Sequence, residues 1–240
     1  MANEQFTHPI ITALPGNYRA FLSGATQNQA DALDYAQQLH RKDLISSVIP
    51  QALETLRMFQ TPPELAGHEG VRAGWQLLRD YFQSKRMMFR KAGVVPLIYG
   101  SMQYDDPVNL DFDILLAGTR DYPHIEDFAN EYHSDLIFGR KWLNDNEGHV
   151  SYTSLEKLDE LTHMLRGGDN NEIAMNAWRI DDQFGNASVV LSGVPLYPED
   201  ASTLATLQKG VWQRTQKEPL LAAVVAQYLM ETVEARMSRR

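Results

Sequence analysis

The sequence predicts an α+β chain, with a small mixed β-sheet flanked by N-terminal and C-terminal helices. Three observations lead there. Val71, Trp75, Leu78, Phe82 and Phe89 recur at helical spacing. The pattern then changes in residues 94–99 and 110–116, two short apolar runs of strand length. From Ala201 the helical period returns, with Leu220, Leu221, Val224, Val225, Tyr228, Leu229 and Val233 on one side.

Taken in order, residues 1–26 read as irregular, broken by Pro9, Pro15 and Gly16. Residues 27–59 read as two helices separated by Pro50, with Ala32, Tyr35, Leu39, Leu44, Val48, Leu53 and Leu56 as apolar stripes. Thr61-Pro62-Pro63-Glu64 has the spacing of a capping box with proline at the first helical position. One long helix is expected from there to about Lys91, stopped by Gly93. Residues 94–99 and 110–116 are the first two strands, and residues 122–133 a helix. Leu136-Ile137-Phe138 is a short strand and residues 149–153 another. Ser154 and Lys157 form an imperfect capping pair for a helix ending near Gly167-Gly168. Residues 171–180 suit helix or strand equally. Asp182-Gln183-Phe184-Gly185 reads as a turn, and residues 189–196 as an apolar run before Tyr197-Pro198. The expected organisation is helical over 1–91, an α/β core over 92–200 and a helical region over 201–240.

A chain of 240 residues, 43% hydrophobic, can bury a sizeable core. No apolar run approaches 18 residues, so no membrane helix is expected. Met1-Ala2-Asn3-Glu4-Gln5 lacks the basic and apolar regions of a signal peptide, and there is no cysteine. A cytoplasmic setting is the expectation. A net charge of −9 disfavours a long nucleic acid as partner and suits a cationic small molecule.

The most informative stretch is residues 99–114. The strand over 94–99 ends in Gly100-Ser101, and nine residues separate Ser101 from Asp111-Phe112-Asp113. In a strand Asp111 and Asp113 share a face, while Phe112 and Ile114 take the other. Two adjacent carboxylates repel unless a cation lies between them, and oxygen-only ligands favour Mg²⁺. Gly-Ser at a strand end lets backbone approach a phosphate closely.

This pattern resembles the nucleotidyltransferase superfamily, which includes DNA polymerase beta-like proteins and small bacterial antibiotic-type nucleotidyltransferases. Its signature is a hydrophobic residue, Gly-(Gly/Ser), a spacer of this length, then Asp-hydrophobic-(Asp/Glu)-hydrophobic. Tyr99, Phe112 and Ile114 fill the hydrophobic slots. The resemblance covers about residues 92–200. A looser match sets residues 177–185 and 191–199 beside a helix, a hairpin carrying Asp and Gly, and a Tyr-Pro.

The resemblance implies Mg²⁺, with Mn²⁺ as the alternative ion, held by Asp111 and Asp113 on a nucleoside triphosphate. Gly100 and Ser101 would then contact the phosphates. The implied reaction moves a nucleoside monophosphate from ATP or another triphosphate to an acceptor hydroxyl. That acceptor is a small molecule such as an antibiotic-like polyhydroxylated amine, a protein or an RNA end. The alternative is a catalytically degenerate protein of this fold that binds nucleotide or a partner without turnover. A third reading is a structural helical protein with an accidental Asp-x-Asp.

One departure stands out. The family usually has a third carboxylate on a neighbouring strand, but the strand over 149–153 presents His149, Ser151 and Thr153 on one face. Glu147, or Glu172 if its segment is a strand, is the candidate to complete the site. Asp105 and Asp106 read as turn residues beside Pro107. Lys85, Arg86, Arg90 and Lys91 suit a helix C-terminus, with Arg140 and Lys141 the plausible phosphate partners. The seven histidines show no zinc-ligand spacing.

Overall fold

The protein is mixed α+β. The computed structural model describes residues 47–61, 65–100, 102–104, 112–129, 148–167 and 170–238. Helix α1 (Ile49–Phe59) carries Pro50 in its first turn, where a missing N–H costs little. Helix α2 (Glu69–Gln83) buries Val71, Trp75, Leu78 and Phe82 on one face, as the spacing predicts. The long helix expected over 61–91 is instead two helices. It starts only at Glu69, and the capping-box residues 62–64 lie outside the described residues. At its end the Lys85 N–H donates to the Phe82 carbonyl at 3.0 Å, a tightened turn that closes α2 and starts α3 (Arg86–Ala92). Gly93 then ends α3 in the left-handed conformation, its N–H donating to the Arg90 and Phe89 carbonyls.

Strands β1 (Val95–Ile98), β2 (Phe112–Gly118), β3 (Gly148–Ser154) and the short β4 (Val194–Pro195) form one sheet in the order β3-β2-β1-β4. β1 is antiparallel to β2 and to β4, whereas β2 and β3 run parallel. Gly193 allows the tight turn that leads into β4, because a Cβ there would lie 2.7 Å from the Val189 carbonyl oxygen. One sheet face presents Ile98, Ile114, Leu116, Val150 and Tyr152 to the apolar stripe of α2 and to Phe89. Phe82, Phe89 and Phe128 meet there with ring centroids 5.6–6.1 Å apart. The other face buries Val95, Leu97, Leu115 and Ala117.

Residues 123–129 are helical, as expected for the start of the 122–133 segment; the rest of that segment and the strand expected at 136–138 lie outside the described residues. Tyr152 ties this helix to the sheet. Its hydroxyl donates to the Arg120 carbonyl and accepts from the Tyr122 N–H, both at 2.9 Å. Helix α4 (Leu155–Gly167) follows β3 directly. Ser154 caps it, its Oγ accepting from the Lys157 N–H at 3.1 Å. The Lys157 ammonium is buried and pairs with Glu126 at 2.5 Å.

The ambiguous segment over 171–180 is helical: α5 (Asn170–Met175) leads into α6 (Ala177–Ser192). The turn expected at Asp182–Gly185 is therefore helix interior, and so is the first half of the 189–196 run. Gly185 serves close packing, since a Cβ there would lie 3.0 Å from the Tyr228 ring. The hairpin of the looser family match is absent from this stretch for the same reason. After a short 3₁₀ turn (Pro198–Asp200), α7 (Ala201–Thr215) and α8 (Pro219–Met237) complete the chain. The nearly continuous burial of α8 from Leu220 to Ala226 makes it a central helix.

Two packed units share these elements. One contains residues 57–160 and 189–212, with the whole sheet; the other contains the described parts of 1–56, 161–188 and 213–240. In the second unit Tyr228 donates to Asp181 at 3.2 Å, and Arg166 donates to the Glu218 carboxylate at 3.1 Å. Among the described residues no helix is long and apolar enough to cross a membrane.

Candidate functional site

The site forms where β1 ends and β2 begins. The ladder runs to Ile98 opposite Ile114, and the Tyr99 N–H adds a 3.2 Å bond to the Asp113 carbonyl. Gly100 then turns into the left-handed region with φ 70. An L side chain is disfavoured there, so glycine is the residue this turn calls for. Its bareness has a second use. A Cβ at Gly100 would lie 3.3 Å from the Asp113 carboxyl carbon and would overlap the Oδ2 oxygen. The backbone of the first motif half thus lies against the carboxylate of the second.

The 3₁₀ turn Met102–Tyr104 is pinned. Met102 is fully buried in the aromatic core, and Gln103 is buried beside it. The Gln103 carbonyl accepts from the Thr61 N–H at 3.0 Å, and its Oε1 accepts from Gln60 Nε2 at 3.3 Å. Gln60 Nε2 also donates to the Ser192 carbonyl. These bonds hold the 3₁₀ turn Met102–Tyr104 on the scaffold.

Asp113 is half-buried at the open end of a face that Leu115 and Ala117 continue inward. Across the parallel ladder Asp113 pairs with His149, Leu115 with Ser151 and Ala117 with Thr153. His149 is exposed, Ser151 half-buried and Thr153 buried. The structure therefore brings Gly100, Asp113 and His149 to one end of the sheet. Asp111, Ser101, Glu147, Asp105, Asp106, Arg140 and Lys141 lie outside the described residues. Glu172 stands corrected: its segment is helix α5, where it is exposed, so the strand that would have made it a ligand does not exist. Among the described residues there is no group of three acidic, histidine or cysteine side chains placed to hold a metal.

The basic cluster at the α2–α3 junction has structural partners. Arg86 pairs with Glu199 at 3.0 Å and stacks 4.4 Å from the Tyr197 ring centroid. Lys85 lies 5.5 Å from the Phe128 ring. Tyr197 donates to the Arg79 carbonyl at 2.9 Å, and burial pushes its hydroxyl up to about 12. Burial likewise raises Asp200, while its own backbone N–H and Arg86 lower the exposed Glu199.

Chemically, a half-buried carboxylate beside a side-chain-free turn can hold a cation next to an anion. The Asp113 carboxylate packs directly on that turn, its oxygen taking the space that a Cβ at Gly100 would need. Compared with protein-family models, curated proteins and solved structures, the chain matches none. His149 is the site neighbour that sequence spacing did not single out. Only the register of β2 on β3 puts it beside Asp113, and 35 residues separate the two strand starts in register, Phe112 and Gly148.

Proposed function

We propose that this chain is a divalent-metal-dependent nucleotidyltransferase with the nucleotidyltransferase-like arrangement of sheet and flanking helices. It would move a nucleoside monophosphate from ATP or another triphosphate to an acceptor hydroxyl. The observation that carries this reading is the left-handed Gly100 packed against the Asp113 carboxylate. Gly100 of the first motif half and Asp113 of the second lie in contact, which supports a shared site.

In this reading Asp113, with Asp111, holds Mg²⁺. Bound there, the ion would supply neutralisation of phosphate charge and a lowered pKa at the acceptor hydroxyl. Gly100 lets the triphosphate approach the backbone, and Ser101 supplies a hydroxyl to it. The rate gain of such chemistry arises from preorganised positioning and charge stabilisation.

A second reading rests on β3. Its His149, Ser151 and Thr153 face carries no carboxylate, which favours a protein that binds nucleotide without turnover. Pyrophosphate release decides between them. The full chain is incubated with each triphosphate, Mg²⁺ and a panel of hydroxyl acceptors that includes polyhydroxylated amines. Release that disappears in Asp111→Asn/Asp113→Asn is the result expected of the enzyme. Tight nucleotide binding with no release across the panel supports the second reading.

A further inference from the structure

Gln60 joins two chain segments beside the Gly100 turn. Its Nε2 donates to Gln103 Oε1 at 3.3 Å and to the Ser192 carbonyl. The neighbouring Thr61 N–H donates to the Gln103 carbonyl at 3.0 Å, so Gln103 is held through side chain and backbone together. Gln103 is 2% exposed, and Met102 beside it is fully buried. Two peptide links separate Met102 from Gly100, a reach of about 7.6 Å at most. The Ser192 side of the bridge lies at the end of β1. Ile98 is the register partner of Val194, and a Cβ at Gly193 would lie 3.4 Å from the Ile98 carbonyl oxygen. The Gln60 amide thus ties the turn that follows Gly100 to the chain that packs on the strand preceding it. Gln60, Gly100, Gln103 and Ser192 all belong to the sheet-containing unit.

Resting on the nucleotide-site reading above, we propose that Gln60 is a positioning residue for the triphosphate. Through Gln103 and Ser192 it sets the spacing between the end of β1 and the 3₁₀ turn, and with it the Gly100 backbone that the phosphates approach. An amide suits this task. The half-buried NH₂ group carries two donors, one for each acceptor. A leucine of similar size supplies neither, and the buried Gln103 oxygen loses its bond to residue 60. A glutamate keeps the shape and adds a titration. Ionised, it sets a carboxylate against two acceptor oxygens; protonated, its O–H can donate again.

The test uses the full chain with ATP and Mg²⁺, at a temperature where every variant is folded. Calorimetric titrations compare the wild type with Gln60→Leu, Gln60→Glu, Asp113→Asn and Ser154→Ala. The last removes a helix cap at the far end of β3 and serves as the destabilised control. Gln60→Leu should weaken ATP binding about fivefold or more, while Ser154→Ala stays within about twofold of the wild type. Gln60→Glu should show a similar deficit near pH ~8 that shrinks toward none as the pH falls to ~5, where the carboxyl takes up its proton. A merely destabilising change would not recover in that direction. If Asp113→Asn abolishes binding but Gln60→Leu stays within about twofold of the wild type, the role of Gln60 is overturned and the nucleotide site stands. Equal losses in Gln60→Leu and Ser154→Ala, or a Gln60→Glu deficit that does not change with pH, also overturn it. If the wild type binds no triphosphate, or Asp113→Asn binds it equally well, the site reading and this inference fall together.

Discussion

Replacing Gly100 with alanine tests the contact on which the site is built. Two penalties act at this position. A left-handed backbone costs an L residue about 1–2 kcal/mol. The new Cβ also overlaps the Asp113 carboxylate, whose Cγ would lie only 3.3 Å away. The overlapped oxygen is the tip of a half-buried side chain on β2, and turning it aside costs about 0.5–1.5 kcal/mol more. Gly100→Ala should therefore destabilise the sheet-containing unit by about 1.5–3.5 kcal/mol. In an Asp113→Ala background the second penalty vanishes, and the same substitution should cost only about 1–2 kcal/mol. Denaturant unfolding of the four proteins in the cycle measures this, read by the intrinsic fluorescence of the four tryptophans. The coupling energy should be about 0.5–1.5 kcal/mol, with the double mutant more stable than the single effects sum to. Additive effects would refute the packing of Gly100 on Asp113.

Other consequences can be checked in the same preparation. Ser154→Ala removes the hydroxyl that accepts from the Lys157 N–H and should cost about 1 kcal/mol in denaturant unfolding. Phe82→Ala opens the cluster with Phe89 and Phe128 and should cost about 3–5 kcal/mol, read by the same titration. Tyr197 should make the fold alkali-sensitive. Its folded-state pKa is raised to about 12, above the unfolded value of about 10. The neutral form is thus favoured in the fold, and its contribution is present below pH ~10 and lost as the pH rises toward ~12. Tyr197→Phe should flatten that decline in a pH series of thermal midpoints, while losing the bond to the Arg79 carbonyl at neutral pH.

Much of the fold was legible because local and global signals agree. Both motif strands fall within two residues of their expected positions, Gly93 is the helix stop, and Ser154 caps α4. The failures share a cause: residues whose local preference is overruled by packing. Asp182-Gln183-Phe184-Gly185 carries turn chemistry, yet Gly185 is spent on approach to Tyr228, and the helix runs through it. The break at Ser84-Lys85 carries no glycine or proline; the chain turns there as Phe82 and Phe89 enter one cluster. At the site, alternation alone gave the faces of β2 and β3. Pairing of Asp113 with His149 needed the parallel register, which periodicity does not encode.

The central claim is that the Gly100–Asp113 corner binds the metal-bound triphosphate of a nucleotide. Calorimetric titration of ATP into the wild type and Asp113→Asn, with and without Mg²⁺, tests it most directly. The account predicts metal-dependent binding to the wild type that Asp113→Asn weakens at least tenfold while the thermal midpoint is retained. ATP binding that is indifferent to both the metal and Asp113, or no binding of any triphosphate, would contradict it.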